Sequence, residues 1–293
     1  MSIKKRLQNV ARNTVRRAVG ARDGEPIRDA RRRNQIERIK KKDHVKYGKA
    51  DLLDALKEIG VNPGDTLVVH SAWRTFYNFT GRPEDVISAL QESVGECGNL
   101  LMPCYGAEKG YLDVSRTKSH VGVLSEIFRC QDGVRRAAVP HFTLAGRGPD
   151  IDELFAMETQ CMYGFDDCAP YTKAIDKGAK VLLMGLPSNT SKISVFHRTG
   201  WLAKDYSKRY ASIWSDPIDA IIVDENGETH MRKMLPKRSG VGNHNPAFRK
   251  AFAAVPKASR SFGEMEVVLF DAQEAVDASL SMVREGLILY KGI

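Results

Sequence analysis

The stretch Thr66-Leu67-Val68-Val69-His70-Ser71-Ala72-Trp73-Arg74 decides the fold class. Four residues that favour extended backbone stand in a row, preceded by the turn Asn62-Pro63-Gly64-Asp65. A strand with one wet face would alternate apolar and polar residues; an unbroken run marks a strand buried on both faces. Lys180-Val181-Leu182-Leu183-Met184 has the same character, and Asn99-Leu100-Leu101-Met102 ahead of Pro103 is a third case.

Helical patterns separate these runs. Ala50 to Ile59 places Leu52, Leu53, Leu56 and Ile59 on one face and stops at Gly60. Residues 83–94 start with Pro83, and residues 124–130 repeat the helical period. Strands alternating with helices predict an α/β chain: three layers, α/β/α, with a mostly parallel central sheet. Ligands of such sheets gather at the carboxyl ends of the strands. The segments after Val69, Met102 and Met184 are therefore where chemistry is expected. Two late strands, 219–223 and 266–270, are expected around a hairpin tip at Asp224-Glu225-Asn226-Gly227, with a last helix over about 272–287.

The chain has 293 residues, enough for one large domain with an appendage. It has no run of about 18 apolar residues, so no membrane span is expected, and no secretory signal is expected at the N-terminus. Cys97, Cys104, Cys130, Cys161 and Cys168 are odd in number and form no CxxC pair. They suggest neither a disulfide framework nor a metal site, and a reducing cytoplasm is the simplest home. Each reads most simply as a small core hydrophobe.

The net charge of +9 belongs to one segment. Residues 1–49 hold 17 Lys or Arg against 5 Asp or Glu, which is +12, so the remainder carries about −3. The division expected is a basic arm, 1–48, and a main domain, 49–293. Within the arm, residues 2–19 read as an amphipathic helix, Arg22-Asp23-Gly24-Glu25-Pro26 as a break, and 28–42 as a second basic helix. Residues 2–42 suit peripheral contact with an anionic membrane, including the inner face of a cell membrane, or a solvated arm packing on its own domain or a partner subunit. Nucleic acid is the least favoured partner, since only Tyr47 is available for stacking.

Five segments, in order, resemble one known family. They are Val61 to Arg74, containing His70-Ser71-Ala72-Trp73-Arg74; residues 84–103, ending Gly98-Asn99-Leu100-Leu101-Met102-Pro103; Asp113-Val114-Ser115-Arg116-Thr117-Lys118-Ser119-His120-Val121-Gly122; Gly133-Val134-Arg135-Arg136-Ala137-Ala138-Val139-Pro140-His141-Phe142-Thr143; and Lys180-Val181-Leu182-Leu183-Met184-Gly185 with Asn189-Thr190 after it. Together they look like the aminoglycoside 3-N-acetyltransferase family, over roughly 50–290. The resemblance implies an α/β/α fold and acetyl-CoA as donor. Neither GxGxxG nor GxxxxGK[ST] is present.

Acyl transfer to an amine needs a base, because an alkyl amine has a pKa near 10.4 and is almost wholly charged at pH 7. It also needs donors for the developing oxyanion and cations or N–H groups for the coenzyme's phosphates. By the resemblance, His70, Ser71, Ala72, Trp73 and Arg74 line the coenzyme site, with Arg116, Thr117 and Gly122. His70 reads equally as a hydrogen-bonded structural residue. The family's His-Pro-Xaa-His-Ser segment has Val139 and Phe142 at its histidine positions, with His141 between them. Its Leu-His-Xaa-Xaa-Glu signature matches Phe196-His197-Arg198-Thr199-Gly200, with glycine where the family has glutamate. His197 is therefore the first candidate base and His141 the second, and no metal ligand set is expected. Tyr105, Asp113, Asp166 and Asp167 are candidates to meet the acceptor. That acceptor is expected to be an amino sugar, of a surface polysaccharide or lipopolysaccharide intermediate. A chain that has lost catalysis and binds only, or one that performs O-acylation, are the alternatives. Oligomerisation is left open.

Overall fold

The computed structural model describes residues 13–42, 44–106 and 110–293. Of the helix expected over 2–19, residues 13–18 are helical, and those up to 12 lie outside the described residues. The arm continues as α1 (Ile27–Lys42). Its two pieces are tied together: Arg16 donates to the carbonyls of Arg22 and Glu25, Arg33 to that of Gly20, and Asn34 to that of Val19. Part of the arm's charge is thus spent on its own fold, and Arg33 also pairs with Glu25 at 3.2 Å.

The main domain opens with α2 (Lys49–Glu58), whose Asp51 carboxylate accepts from the N–H of Gly48 at its start. β1 (Thr66–Ser71), α3 (Pro83–Val94) and β2 (Asn99–Pro103) follow as expected. After them come β3 (Tyr111–Asp113), α4 (Val123–Arg129), β4 (Arg135–Arg136), β5 (Leu144–Arg147), α5 (Pro170–Asp176), β6 (Lys180–Met184) and α6 (Phe196–Ala203). The chain ends with β7 (Ile218–Val223), β8 (Thr229–Met234), β9 (Gly242–Asn243), α7 (Asn245–Ala253), β10 (Ala258–Phe262), β11 (Met265–Asp271), α8 (Ala272–Arg284) and β12 (Tyr290–Lys291).

The main sheet has the order β10-β11-β6-β1-β2-β5-β4. Its three layers hold as expected. On one face Leu67, Val69, Leu100 and Leu182 pack under α2, α3 and α4 through Leu56, Ile87, Leu90 and Phe128. On the other, Val68, Leu101, Val181 and Leu183 pack under α5 to α8. This two-sided burial is what the unbroken apolar runs encode.

Two expectations need correction. Within the main sheet parallel pairing is confined to β6, β1 and β2; β11, β10, β5 and β4 join antiparallel. Only the outermost pairs, β10–β11 and β4–β5, are closed by short links, which can only return the chain antiparallel; β11 and β5 reach β6 and β2 after long excursions through other elements. The late strands also divide differently. The tip at 224–227 joins β7 to β8, in a separate sheet of order β3-β7-β8, whereas β11 pairs with β6 in the main sheet. Strand β8 (Thr-His-Met-Arg-Lys-Met) is mostly polar and half exposed, so it carries no buried-run signal.

Candidate functional site

The carboxyl ends of β1, β2 and β6 open into a cleft of about 760 Å³. β1 supplies Val69, His70 and Ser71, and the turn after it Ala72, Trp73 and Arg74. The segment after β2 supplies Tyr105, the start of α4 supplies Gly122, and the loop after β6 supplies Leu186 and Ser191 to Ser194. α6 contributes His197.

The turn after β1 is locked to the end of β6. Ala72 N–H donates to the Met184 carbonyl at 2.9 Å, and Thr75 Oγ1 bonds the Ala72 and Gly185 carbonyls. Gly185 has φ of 69°, and a Cβ there would lie 1.9 Å from Thr75 Oγ1, so only glycine lets the two strand ends meet.

His70 follows the period of β1 onto the Val68 face, where Nε2 meets the Tyr171 hydroxyl of α5 at 3.0 Å. Burial lowers its pKa to about 4, so it is neutral at pH 7. His197 is buried in the first turn of α6, with Nδ1 2.8 Å from the Tyr290 hydroxyl and 3.4 Å from Lys237 Nζ. Among the described residues nothing hydrogen-bonds its Nε2, which is thus the nitrogen left for a ligand. Burial first, then the charges of Lys237 and His141, hold its pKa well below the usual value. A helix N-terminus disfavours the imidazolium further.

Six expected residues lie outside the cleft lining. Asp113 caps its own turn, with Oδ1 accepting from the N–H groups of Ser115 and Arg116. Thr117 Oγ1 accepts from the Asp113 N–H, and Arg116 is exposed. Asp166 is buried and spends both oxygens on the N–H groups of Met162, Tyr163 and Cys168. Asp167 pairs with Arg198 at 2.7 Å. His141 stacks obliquely beside Phe142, centroids 4.0 Å apart, and it is Phe142 that reaches the cleft. The carboxylates placed as acceptor contacts are in fact capping and pairing groups, satisfied by neighbours a few residues away or on α6.

A family model described as aminoglycoside 3-N-acetyltransferase matches residues 68–284. The chain belongs to this family. Aminoglycoside N(3)-acetyltransferase IV of Salmonella sp is 29% identical over 143 residues, covering 48% of this chain and 54% of that enzyme, so the chain spans about half the length of that relative. Aminoglycoside N(3)-acetyltransferase VII of Streptomyces paromomycinus is 25% identical over 268 residues, 79% of this chain and 90% of that enzyme. The solved structure of AAC-IIIb as a binary complex with CoASH superposes with a TM-score of 0.67 at 20% identity, covering 82% of this chain and 97% of that one.

Acetyl-CoA is the donor of the aminoglycoside 3-N-acetyltransferase family, and its members are acyltransferases. The residues present fit that donor. The cleft has room for a long thin arm, strand-end backbone along Ser71–Trp73, and the cations Arg74 and Lys192 at one end. There it continues into a second cavity of about 360 Å³, bordered by Ala72, Arg74, Leu186 and Lys192 and by Gln35 and Ile36 of α1. The arm thus borders the site.

Three residues of the site escaped the sequence reading. Lys237 lines the cleft from the loop after β8, and burial lowers its pKa to about 7. Tyr290 reaches His197 from β12, held by pairing with Asn243 of β9. Arg136 is buried and donates to the carbonyls of Val114, Thr117 and Cys104, fixing two segments that lead into the cleft. Arg136 falls inside a family-like segment and was legible as a position, though not as a role. Lys237 and Tyr290 left no signal, because their neighbours come from distant parts of the chain.

The departure at Gly200 also finds its counterpart here. A Cβ on Gly200 would sit 2.7 Å from the Tyr290 hydroxyl and 2.7 Å from the ring. The space one turn after His197, where the family signature has glutamate, is taken by a phenol.

Proposed function

We propose that this chain transfers an acetyl group from acetyl-CoA to a primary amine of an amino sugar, with His197 as the base. The observation that carries the reading is an imidazole at the cleft wall with Nδ1 fixed by Tyr290 and Nε2 free of other hydrogen bonds. A base at Nε2 requires the proton on Nδ1, and the Tyr290 oxygen then accepts it. The donor supplies a thioester: its C–S bond breaks as the C–N bond forms. Nε2 takes the proton released by the amine and returns it to the departing sulfur. Burial keeps His197 neutral at pH 7, which is the state that accepts a proton. The backbone N–H groups of Ser71 and Trp73 are the candidates to meet the carbonyl oxygen or the pantetheine chain, that of Ala72 being bonded to the Met184 carbonyl.

The test combines calorimetry with acetyl-CoA and a thiol-release assay with amino-sugar acceptors. His197→Ala is expected to lower kcat about 100-fold or more while the affinity for acetyl-CoA is unchanged. No heat of binding with acetyl-CoA would defeat the reading. Retained binding with no turnover on any acceptor favours a second reading, a binding protein that has lost catalysis. The glycine at position 200 is the observation in its favour.

A place in surface-polysaccharide synthesis accords with the basic arm, which would hold the cleft near a lipid-linked acceptor. Among the described residues no helix is long and apolar enough to cross a membrane. Removing residues 1–42 is expected to abolish co-sedimentation with anionic vesicles, and an unchanged fraction bound would discard the membrane role.

A further inference from the structure

The cleft has two ends, distinguished by the second cavity. That cavity shares Ala72, Arg74, Leu186 and Lys192 with the cleft, and none of His197, Lys237, Asn243 or Asn245. The end with Arg74 and Lys192 suits the phosphates of the donor. The other end holds the imidazole, so it is where an acceptor amine must come.

A lysine that is about half charged at pH 7 stands at that end. Lys237 Nζ lies 3.4 Å from His197 Nδ1 and 4.5 Å from the Tyr290 ring centroid. Among the described residues no carboxylate pairs with it, and the whole cleft lining carries Arg74, Lys192, Lys237 and three histidines without an Asp or Glu. Asn243 and Asn245, beside it, are uncharged. An aminoglycoside carries several ammonium groups at pH 7, which this wall would repel. An anion would instead pair with Lys237 and remove the positive charge that weakens His197 as a base.

We propose that the acceptor is an amino sugar bearing an acidic group, a phosphate or a carboxylate, which pairs with Lys237 while its amine faces His197. The proposal rests on the acetyltransferase reading and narrows it. It separates this chain from relatives named for aminoglycosides by the charge of the acceptor rather than by the reaction. The source of the acid is one of three: a sugar phosphate, a nucleoside diphosphate sugar, or a sugar carboxylate.

The experiment is calorimetry on the full chain saturated with coenzyme A, so that the donor's phosphate sites are filled. The probes are glucosamine, glucosamine 6-phosphate, UDP-glucosamine, 2-amino-2-deoxyglucuronate and gentamicin. At least one acidic probe is expected to bind about tenfold or more tighter than glucosamine, with gentamicin weaker than that probe. Lys237→Met should erase the preference without changing the affinity for coenzyme A, and Lys237→Arg should retain part of it. The best acidic probe should also release thiol from acetyl-CoA faster than glucosamine does. Glucosamine or gentamicin binding as tightly as every acidic probe would overturn the proposal. So would a preference that survives in Lys237→Met, or a parallel loss of coenzyme affinity, which would assign Lys237 to the donor. Failure of coenzyme A to bind at all would defeat the acetyltransferase reading and this one with it; normal coenzyme binding without acid preference defeats this one alone.

Discussion

The phenolic oxygen of Tyr290 lies 2.8 Å from Nδ1 of His197, across 93 residues of sequence. The contact sets which nitrogen of the imidazole is available to the cleft. It joins β12 to the first turn of α6, so a strand far along the sequence takes part in the site. Tyr290→Phe keeps the ring and its stacking and removes only the oxygen. One hydrogen bond of about 1 kcal/mol orients the proposed base, so kcat is expected to fall about fivefold with acetyl-CoA affinity unchanged. Steady-state kinetics beside calorimetry would check it; an unaltered kcat would show that the phenol only packs.

Gly200→Ala tests the same relationship from the other side. In an open helix the change would gain up to about 1 kcal/mol of stability. Here the new methyl meets Tyr290 at 2.7 Å, against a ring locked in a β-pair. Overpacking of this kind costs about 1–3 kcal/mol and should outweigh the gain. In a Tyr290→Ala background the sign should reverse, and chemical denaturation of the four variants gives the coupling.

Lys237 links stability to pH. Its folded pKa of about 7 lies below the ordinary lysine value of 10.5. Between those values the unfolded chain binds one proton more than the folded chain, so this group makes stability rise with pH across that window. The penalty for charging it is fully present below pH 7 and absent above 10.5. Lys237→Met should therefore raise the Tm more at pH 6.5 than at pH 9.5. Among the described residues Lys237 faces the His197 imidazole and the Tyr290 ring, and neither brings a carboxylate that would cancel the effect. Equal gains at both pH values would mean that the amine is solvated.

Arg136→Met should be among the most damaging single changes away from the catalytic groups. It strips donors from the carbonyls of Cys104, Val114 and Thr117, two segments that border the cleft. The loss expected is about 3 kcal/mol or more, since hydrogen bonds to a buried charge are worth about 1.5–3 kcal/mol each. Arg136→Lys should recover only part, because one ammonium cannot span the fork. Urea denaturation measures both.

The strands β1, β2 and β6 and the helices α2 and α3 were readable because their burial is local in origin. A strand covered on both faces must be apolar at every position, and a helix must be apolar at every third or fourth. Arg74, Trp73 and Gly122 reached the cleft as expected because they directly follow strands or start a helix, where topology leaves no other place. Asp113 and Asp166 misled for the same reason of locality. A carboxylate within four residues of open N–H groups caps its own turn, and that use competes with any ligand.

His197, as a candidate base beside a missing glutamate, was visible in Phe196-His197-Arg198-Thr199-Gly200. The amino-acid order thus determined the central strands, the helices over them and the histidine proposed as the base. Only the folded chain decided what stands beside that histidine. Tyr290 arrives through the pairing of β12 with β9, and Lys237 through the return of the chain after β8. Periodicity carries information over one or two turns of backbone. Contacts across 40 and 93 residues depend on how whole elements pack, which no local pattern records.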